Sequence, residues 1–75
     1  MKNDIFAERL QIAMYWNELT GADLSRRSGV PASTICRYIC GQRLPNVEKL
    51  IKLSKALNVS ADYLIGLTDE MKRIA

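Results

Sequence analysis

The sequence TGADLSRRSGVPASTICRYICG, residues 20–41, contains two short helical segments around a glycine and a proline. Thr20 stands three residues before Asp23, which is the spacing of a capping box at the start of a helix. Gly29 is suited to end that helix because glycine adopts the left-handed conformation without steric cost. Pro31 is compatible with a first helical turn but not with a helix interior, so a second helix begins there. The stretch therefore predicts two short helices joined by a tight turn.

Capping residues and apolar spacing predict three more helices around this pair. Helix one covers residues 4–17 and ends at an asparagine, which tolerates a left-handed conformation. Helix four lies between the caps Asn46 and Asn58, and a short fifth helix lies between Ser60 and Gly66. No stretch alternates apolar and polar residues for long enough to predict a strand. We therefore expect an all-α fold of five helices.

The apolar residues of these helices recur at intervals of three and four, which places them on inward faces. We expect one domain over residues 1–68, followed by a short charged tail over residues 69–75. The inward positions are Phe6, Leu10, Ala13, Met14, Leu24, Val30, Ile35, Ile39, Val47, Leu50, Leu53, Ser54 and Leu57.

The composition is that of an ordinary globular domain, with 75 residues of which 48% are hydrophobic and 25% charged. No apolar run approaches the roughly 20 residues that span a bilayer, and no signal-type segment follows the first residues, so a cytoplasmic protein without a membrane partner is expected. There is no histidine and there are only two cysteines, which argues against a zinc site and a disulfide framework. We expect no cofactor, no small-molecule ligand and no enzymatic activity, since no nucleophile stands beside a plausible base.

Positive charge is concentrated in the middle of the chain. Between Ser25 and Lys55 there are seven basic residues and one acidic residue, Glu48, within a chain of net charge +3. Such asymmetry favours a basic face that attracts a polyanion, nucleic acid above all. The alternative is a solvated lysine face on helix four, which accounts for the lysines but not for the four arginines that precede them.

Two short helices joined by a tight turn are typical of a helix-turn-helix unit, although helical hairpins of the same spacing also occur in domains that bind no DNA. From Phe6 to Thr68 the chain resembles the lambda-repressor-like, Cro and XRE-type helix-turn-helix proteins. The stretches that carry this resemblance are LTGADLSRRSGVPASTICRY and LPNVEKLIKLSKALNVSADYLIGLTD. The resemblance implies a five-helix lambda-repressor-like DNA-binding domain in which helices two and three form the helix-turn-helix.

The resemblance implies that Ala32, Ser33 and Arg37 face base edges in the major groove. Helical spacing agrees for two of them, because Ser33 and Arg37 stand four residues apart, opposite Ile35 and Ile39. Arginine can bind guanine through two hydrogen bonds, so Arg37 is the first candidate for specificity.

Phosphate contacts are expected from backbone N–H groups at the starts of helices two and four, near Thr20, Gly21 and Asn46. Arg43 in the loop and Lys49 on helix four add positive charge there. Thr34 either contacts a phosphate or packs against helix two. Of the neighbouring Arg26 and Arg27, at most one faces DNA because adjacent helical residues diverge. The family commonly has glutamine where this chain has Gly21, so docking without that side-chain clamp is expected to be weaker.

Two further features depart from the family. Cys36 and Cys40 share a helix face but stand too far apart for an undistorted disulfide, so they are either reduced, half-buried thiols or a redox switch that requires unwinding or a second molecule. Ile12, Tyr15 and Trp16 lie on the side of helix one away from the core, where they form either a contact surface or a patch partly buried by the tail or helix five.

The predicted function is that of a sequence-specific double-stranded DNA-binding transcriptional regulator, of the bacterial or phage repressor type, which reads the major groove with residues 32–40. Its expected partners are an operator duplex and a second copy of the chain, with Trp16, Tyr63 and Leu67 as a possible dimer surface. The alternative is a protein-interaction module, such as an antitoxin or partner-binding domain, without specific DNA binding.

Overall fold

Five α-helices make up the computed structural model, which describes residues 4–71. Their bounds are α1 (Asp4–Trp16), α2 (Gly21–Ser28), α3 (Ala32–Ile39), α4 (Val47–Leu57) and α5 (Ala61–Leu64). Within the described residues there is no extended strand, so the predicted all-α architecture is confirmed. α1 packs on α3 and α5, and α2 packs on α3 and α4.

Each helix supplies at least one side chain that is wholly inaccessible to solvent. These side chains are Leu10, Leu24, Ile35, Leu53 and Leu64, one from each helix in order. Full burial of such a side chain contributes about 1.5–3 kcal/mol relative to exposure. Because all five elements contribute to one cluster, the short helices α2 and α3 are held by packing rather than by their own propensity.

The observed core differs from the predicted inward positions at Tyr38 and at Val47. Tyr38, which is not among the predicted inward positions, is buried, and its ring packs edge-on against Phe6 with centroids 5.6 Å apart. Val47 is exposed, and exposure falls through Leu50 to the buried Leu53. The first turn of α4 therefore extends beyond the core, which is why helical spacing alone misplaced Val47.

The chain leaves α1 through a left-handed residue, as expected, but that residue is Glu18 with φ 54° rather than Asn17. The side-chain amide of Asn17 instead donates to the carbonyls of Ala13, at 2.8 Å, and Leu57, at 2.9 Å. Asn17 therefore joins the end of α1 to the end of α4. The predicted left-handed cap at Asn58 is confirmed, with φ 55°.

Arg9 ties the C-terminal segment to α1. Its guanidinium donates to the backbone carbonyls of Tyr63, at 3.2 Å, and Thr68, at 2.8 Å, and pairs with the Asp69 carboxylate at 2.9 Å. The N–H of Ser60 donates to the carbonyl of Met71 at 3.0 Å. These contacts extend past residue 68, where the predicted tail begins, as far as Met71; residues 72–75 of the predicted tail lie outside the described residues.

Gly66 follows α5 in a conformation that a larger residue would not tolerate. Its φ is +87°, and a Cβ there would lie 2.7 Å from Cγ2 of Ile5. We expect Gly66→Ala to lower the free energy of unfolding by about 1–2 kcal/mol because of the left-handed backbone, with displacement of Ile5 adding to the loss. Urea denaturation measures the change.

Gly21→Ala is the matched control, because a Cβ at Gly21 meets no atom within 4 Å. At this helical position alanine is expected to be neutral or to stabilise by up to about 1 kcal/mol. Equal losses for the two variants would contradict the explanation.

Candidate nucleic-acid interface

The turn between α2 and α3 is closed by local hydrogen bonds. Gly29, with φ 79°, ends α2, and its N–H donates to the carbonyl of Ser25 at 2.9 Å. The Ser28 hydroxyl donates to the carbonyl of Leu24 at 2.7 Å and accepts from the N–H of Val30 at 3.1 Å. Val30 is buried in the core, so the turn is fixed from inside as well as along the backbone. The predicted helix-turn-helix arrangement is confirmed.

α3 presents one side to the core and the other to solvent. Ile35 and Tyr38 are buried and Ile39 is half-buried, whereas the opposite side carries four exposed residues that we call the α3 stripe. The α3 stripe consists of Ser33, Cys36, Arg37 and Cys40, where Cys40 is the residue that caps the helix. The structure thus places Ser33 and Arg37 together on the outward face, as predicted. Ala32 is exposed at the first turn, and Thr34 is half-buried.

The N-terminus of α2 is shaped by the predicted capping box. The Thr20 hydroxyl accepts from the N–H of Asp23, and the Asp23 carboxylate accepts from the N–H of Thr20, each at 3.1 Å. Because the Thr20 N–H is already occupied, the donors left at this end are those of the first helical residues, beginning with Gly21. At the start of α4 the Asn46 side chain accepts from the N–H of Lys49 at 2.8 Å, leaving a similar set of outward donors.

The capping box also sets the protonation of Asp23. Hydrogen bonds from the backbone N–H and the hydroxyl of Thr20, with the charges of Arg26 and Arg27 adding a smaller effect, hold the pKa of Asp23 below its ordinary value. A lowered pKa means that this carboxylate stabilises the fold at all pH values above the ordinary aspartate range, and that the contribution is lost as pH falls through the lowered pKa.

We expect an NMR titration of the Asp23 carboxyl group to give a pKa below the ordinary aspartate value. Thr20→Val removes the hydroxyl but keeps the backbone N–H, so it should raise the pKa only part of the way. Asp23→Asn serves as the assignment control because it removes the titrating group. An unshifted Asp23 in the unmodified protein would contradict the capping-box explanation.

The basic residues of the middle segment differ in their partners. Arg26 is engaged in an ion pair with Asp23, and Lys52 pairs with Glu48 at 3.5 Å. Arg27, Arg37 and Arg43 are exposed, and Lys49 is half-buried at the first turn of α4. Burial raises the pKa of Tyr38, and the positive charge of Arg43 partly opposes this. The arginines are thus distributed around the helix-turn-helix rather than along α4.

The two cysteines are free and exposed rather than half-buried as one expectation had it. Both lie on the outward side of α3, whose inward side is filled by larger apolar residues. Hydrogen bonding and charge from the neighbouring Cys36 thiol raise the pKa of Cys40.

The three residues of the predicted dimer surface differ in exposure. Trp16 and Leu67 are 69% and 73% exposed, so both are accessible to a partner. Tyr63 is only 5% exposed, and its ring lies 4.3 Å below the guanidinium of Arg9. The Tyr63 ring completes the core beneath Arg9, so it offers little surface to a partner. Tyr15 is exposed beside Trp16, with ring centroids 6.5 Å apart.

Within residues 4–71, no helix is long and apolar enough to cross a membrane. The same part of the chain has no cluster of three or more histidine, cysteine, aspartate or glutamate side chains that could hold a metal ion.

Comparisons with known proteins agree with this geometry. A family model described as helix-turn-helix matches residues 16–64. The chain is 30% identical over 66 residues to the HTH-type transcriptional regulator YobD of Bacillus subtilis, covering 88% of this chain and 59% of YobD. It is 33% identical over 57 residues to the cryptic phage CTXphi transcriptional repressor RstR of Vibrio cholerae, covering 73% of this chain and 51% of RstR. The chain therefore spans between half and three-fifths of the length of these relatives.

Two solved structures share the fold. The restriction-modification controller protein C.AhdI from Aeromonas hydrophila superposes with a TM-score of 0.76 at 27% identity, over 80% of this chain and 91% of that one. The DNA-binding domain of the P22 C2 repressor superposes with a TM-score of 0.78 at 32% identity, over 87% of this chain and 86% of that one. The chain belongs to the helix-turn-helix family of the lambda-repressor and XRE type, a family of DNA-binding transcriptional regulators.

Proposed function

We propose that this protein is a sequence-specific double-stranded DNA-binding transcriptional regulator that acts in the cytoplasm as a repressor. The observation that carries the proposal is the two-sided α3. Its inward side is fixed in the core through Ile35 and Tyr38, while Ser33 and Arg37 project together from the outward side. A rigid helix with a projecting arginine at one turn's distance from a small hydroxyl residue suits the depth of a major groove.

Each base-reading residue has a distinct chemical role in this proposal. Arg37 donates two hydrogen bonds to a guanine, and Ser33 donates or accepts at a neighbouring base edge. Ala32 offers only a methyl group, which suits contact with a thymine methyl. Arg37 therefore carries most of the base discrimination.

Phosphate contacts flank the α3 stripe in this proposal. The first N–H groups of α2 and α4, at Gly21 and next to Asn46, point out of the helix starts, where the helix dipole favours an anion. Arg43 and Lys49 add charge beside them, and the half-buried Thr34 can reach a phosphate with its hydroxyl. These contacts fix the position of α3 without reading sequence.

A repressor acts by occupying an operator. We propose that two copies bind half-sites one helical turn apart, about 34 Å along the duplex, using a surface that includes Trp16 and Leu67. Both residues are exposed enough to meet a second copy.

Selection from a random duplex pool tests sequence specificity. We expect enrichment of a two-fold symmetric sequence, and binding that weakens steeply as salt concentration rises because phosphate contacts release counterions. Arg43→Ala should reduce the salt slope by about 1 without changing the selected sequence. Failure to enrich any sequence would exclude specific regulation.

The exposed Ile12, Tyr15 and Trp16 favour the second candidate, a protein-interaction module. Under that alternative, binding to duplex DNA would be weak and independent of Arg37 and Arg43.

Restoring the family's glutamine gives a gain-of-function test. A Cβ at Gly21 meets no atom within 4 Å, so the position has room for the first atom of a side chain, and the test variant is Gly21→Gln. We expect tighter operator binding, by about 2- to 10-fold, because one added hydrogen bond contributes about 0.5–1.5 kcal/mol. Gly21→Ala is the control for helix propensity. Equal affinities for the alanine and glutamine variants would show that no clamp forms.

A further inference from the structure

The α3 stripe carries two thiols that the proposed readout of DNA does not use. Cys36 and Cys40 are free, exposed and four residues apart, and they share the stripe with Ser33 and Arg37. The neighbouring Cys36 thiol, through hydrogen bonding and charge, raises the pKa of Cys40. Two neighbouring, accessible sulfur atoms on one helix face can act together on a single ligand.

The distance between Cys36 and Cys40 determines whether their sulfur atoms can bond directly or only through a bridging atom. A disulfide needs Cβ atoms about 3.5–4.5 Å apart, whereas helical residues four apart have them about 5–6 Å apart. A direct S–S bond would therefore require unwinding the end of α3, where the N–H of Cys40 donates to the carbonyl of Cys36 at 3.0 Å. One atom placed between the two sulfurs spans the longer separation with the helix intact.

The surroundings of Cys40 leave room for an organic group on such an atom. An open groove of about 600 Å³ lies between α1 and the end of α3, and Cys40 forms part of its wall. Ala7, Ile12 and Ile39 supply apolar surface to the same groove. A small aromatic substituent bound at the sulfur pair can therefore pack there.

We propose that Cys36 and Cys40 form a dithiol site for a trivalent aryl arsenical, and that its occupation releases the protein from DNA. With phenylarsonous acid, the hydrated form of phenylarsine oxide, two As–O bonds break and two As–S bonds form. Each thiol proton leaves with a hydroxide as water, and arsenic stays trivalent, so no oxidant or reductant is needed.

Release from DNA follows from the position of the arsenic atom that joins the two sulfurs. This part of the proposal, unlike the dithiol site itself, rests on the proposed function. The bridged arsenic lies on the α3 stripe beside Arg37, on the side that would enter the groove. Base contacts need donor and acceptor atoms within hydrogen-bond distance, so added bulk at this place prevents close approach.

Mass spectrometry of the intact protein tests the dithiol site without DNA. In the presence of excess glutathione, phenylarsine oxide should leave one adduct per chain that blocks both thiols, because the second sulfur binds at high effective concentration. Cys36→Ser and Cys40→Ser should each lose the adduct to glutathione. Retention by either single variant, or a disulfide-linked dimer in place of the adduct, would overturn the site.

Titration of the duplex enriched by selection tests the release. The arsenical should weaken binding by about tenfold or more, comparable to loss of a bidentate base contact, and excess dithiothreitol should restore it. The double variant C36S/C40S should bind equally with and without arsenical, whatever its own affinity. An adduct that leaves affinity unchanged would overturn the release alone. If the unmodified protein enriches no duplex, the proposed function fails together with the release, while the mass measurement still decides the dithiol site.

Discussion

Arg37→Ala is expected to lower the protein's discrimination between its operator and a duplex changed at one guanine by about 1–3 kcal/mol, or about 5- to 150-fold. Arg37 is exposed on the α3 stripe, and the neighbouring Tyr38 on the opposite side is fixed in the core, so the arginine projects from a rigid support. In the proposed complex with DNA, its removal deletes the two hydrogen bonds that distinguish guanine from other bases. Competition titrations with matched duplexes measure the loss.

Arg37→Lys separates the geometry of the contact from its charge. Lysine keeps the positive charge but lacks the planar fork, so we expect it to retain part of the affinity and little of the discrimination. Lys55→Ala is the matched control for net charge, since Lys55 is an exposed cation in the last turn of α4. It should leave discrimination unchanged. An equal loss for Lys55→Ala would mean that only overall charge matters and that Arg37 reads no base.

Arg9→Met is expected to lower the free energy of unfolding by about 2–3 kcal/mol, which corresponds to a fall in Tm of about 10–20 °C. The side chain of Arg9 is 16% exposed and donates to the carbonyls of Tyr63 and Thr68. Methionine fills similar space but leaves both carbonyls without this donor and removes the cation above the Tyr63 ring. Thermal unfolding followed by circular dichroism measures the change.

Asp69→Asn separates the contribution of the Arg9–Asp69 ion pair from that of the Arg9 hydrogen bonds to the backbone carbonyls. Asp69 is 98% exposed, so loss of its ion pair with Arg9 is expected to cost less than about 0.5 kcal/mol. The backbone contacts would remain. If Asp69→Asn destabilised the protein as much as Arg9→Met, the ion pair rather than the carbonyl contacts would hold the C-terminal segment.

The features predicted correctly from sequence depend on residues close together in the chain. The capping box of Thr20 and Asp23, the left-handed Gly29 and the cap at Asn46 each involve at most three intervening positions. Their physics is local, so spacing alone specifies it. The outward pairing of Ser33 and Arg37 follows from helical periodicity in the same way.

The features that were missed depend on partners far along the chain. Arg9 and Thr68 are 59 positions apart, and no local pattern indicates their hydrogen bond. Tyr38 and Tyr63 are amphipathic side chains whose burial is decided by Phe6 and Arg9, which pack on them from α1. Sequence patterns therefore predicted the helix-turn-helix correctly but did not predict the burial of these two aromatic rings.

The exposure of both cysteines was not predicted from the sequence, because cysteine is usually buried in proteins. Cysteine behaves as a small hydrophobic residue and is among the most often buried types. Here Ile35 and Tyr38 already fill the inward side of α3, so Cys36 and Cys40 face solvent. The helical spacing of the cysteines relative to Ile35 and Tyr38 could have indicated that both cysteines face solvent.

Because α3 is short, one copy of the protein can contact only a few base pairs through this helix. Eight helical residues extend about 12 Å, which matches about four base pairs at 3.4 Å each. A specific sequence of four base pairs occurs by chance at roughly one position in 250. A chromosome offers millions of competing sites, so this sequence alone does not specify one operator. Two copies reading paired half-sites square that selectivity to about one position in 65,000. In the proposed two-copy complex, further selectivity comes from the shape and flexibility of the DNA between the half-sites.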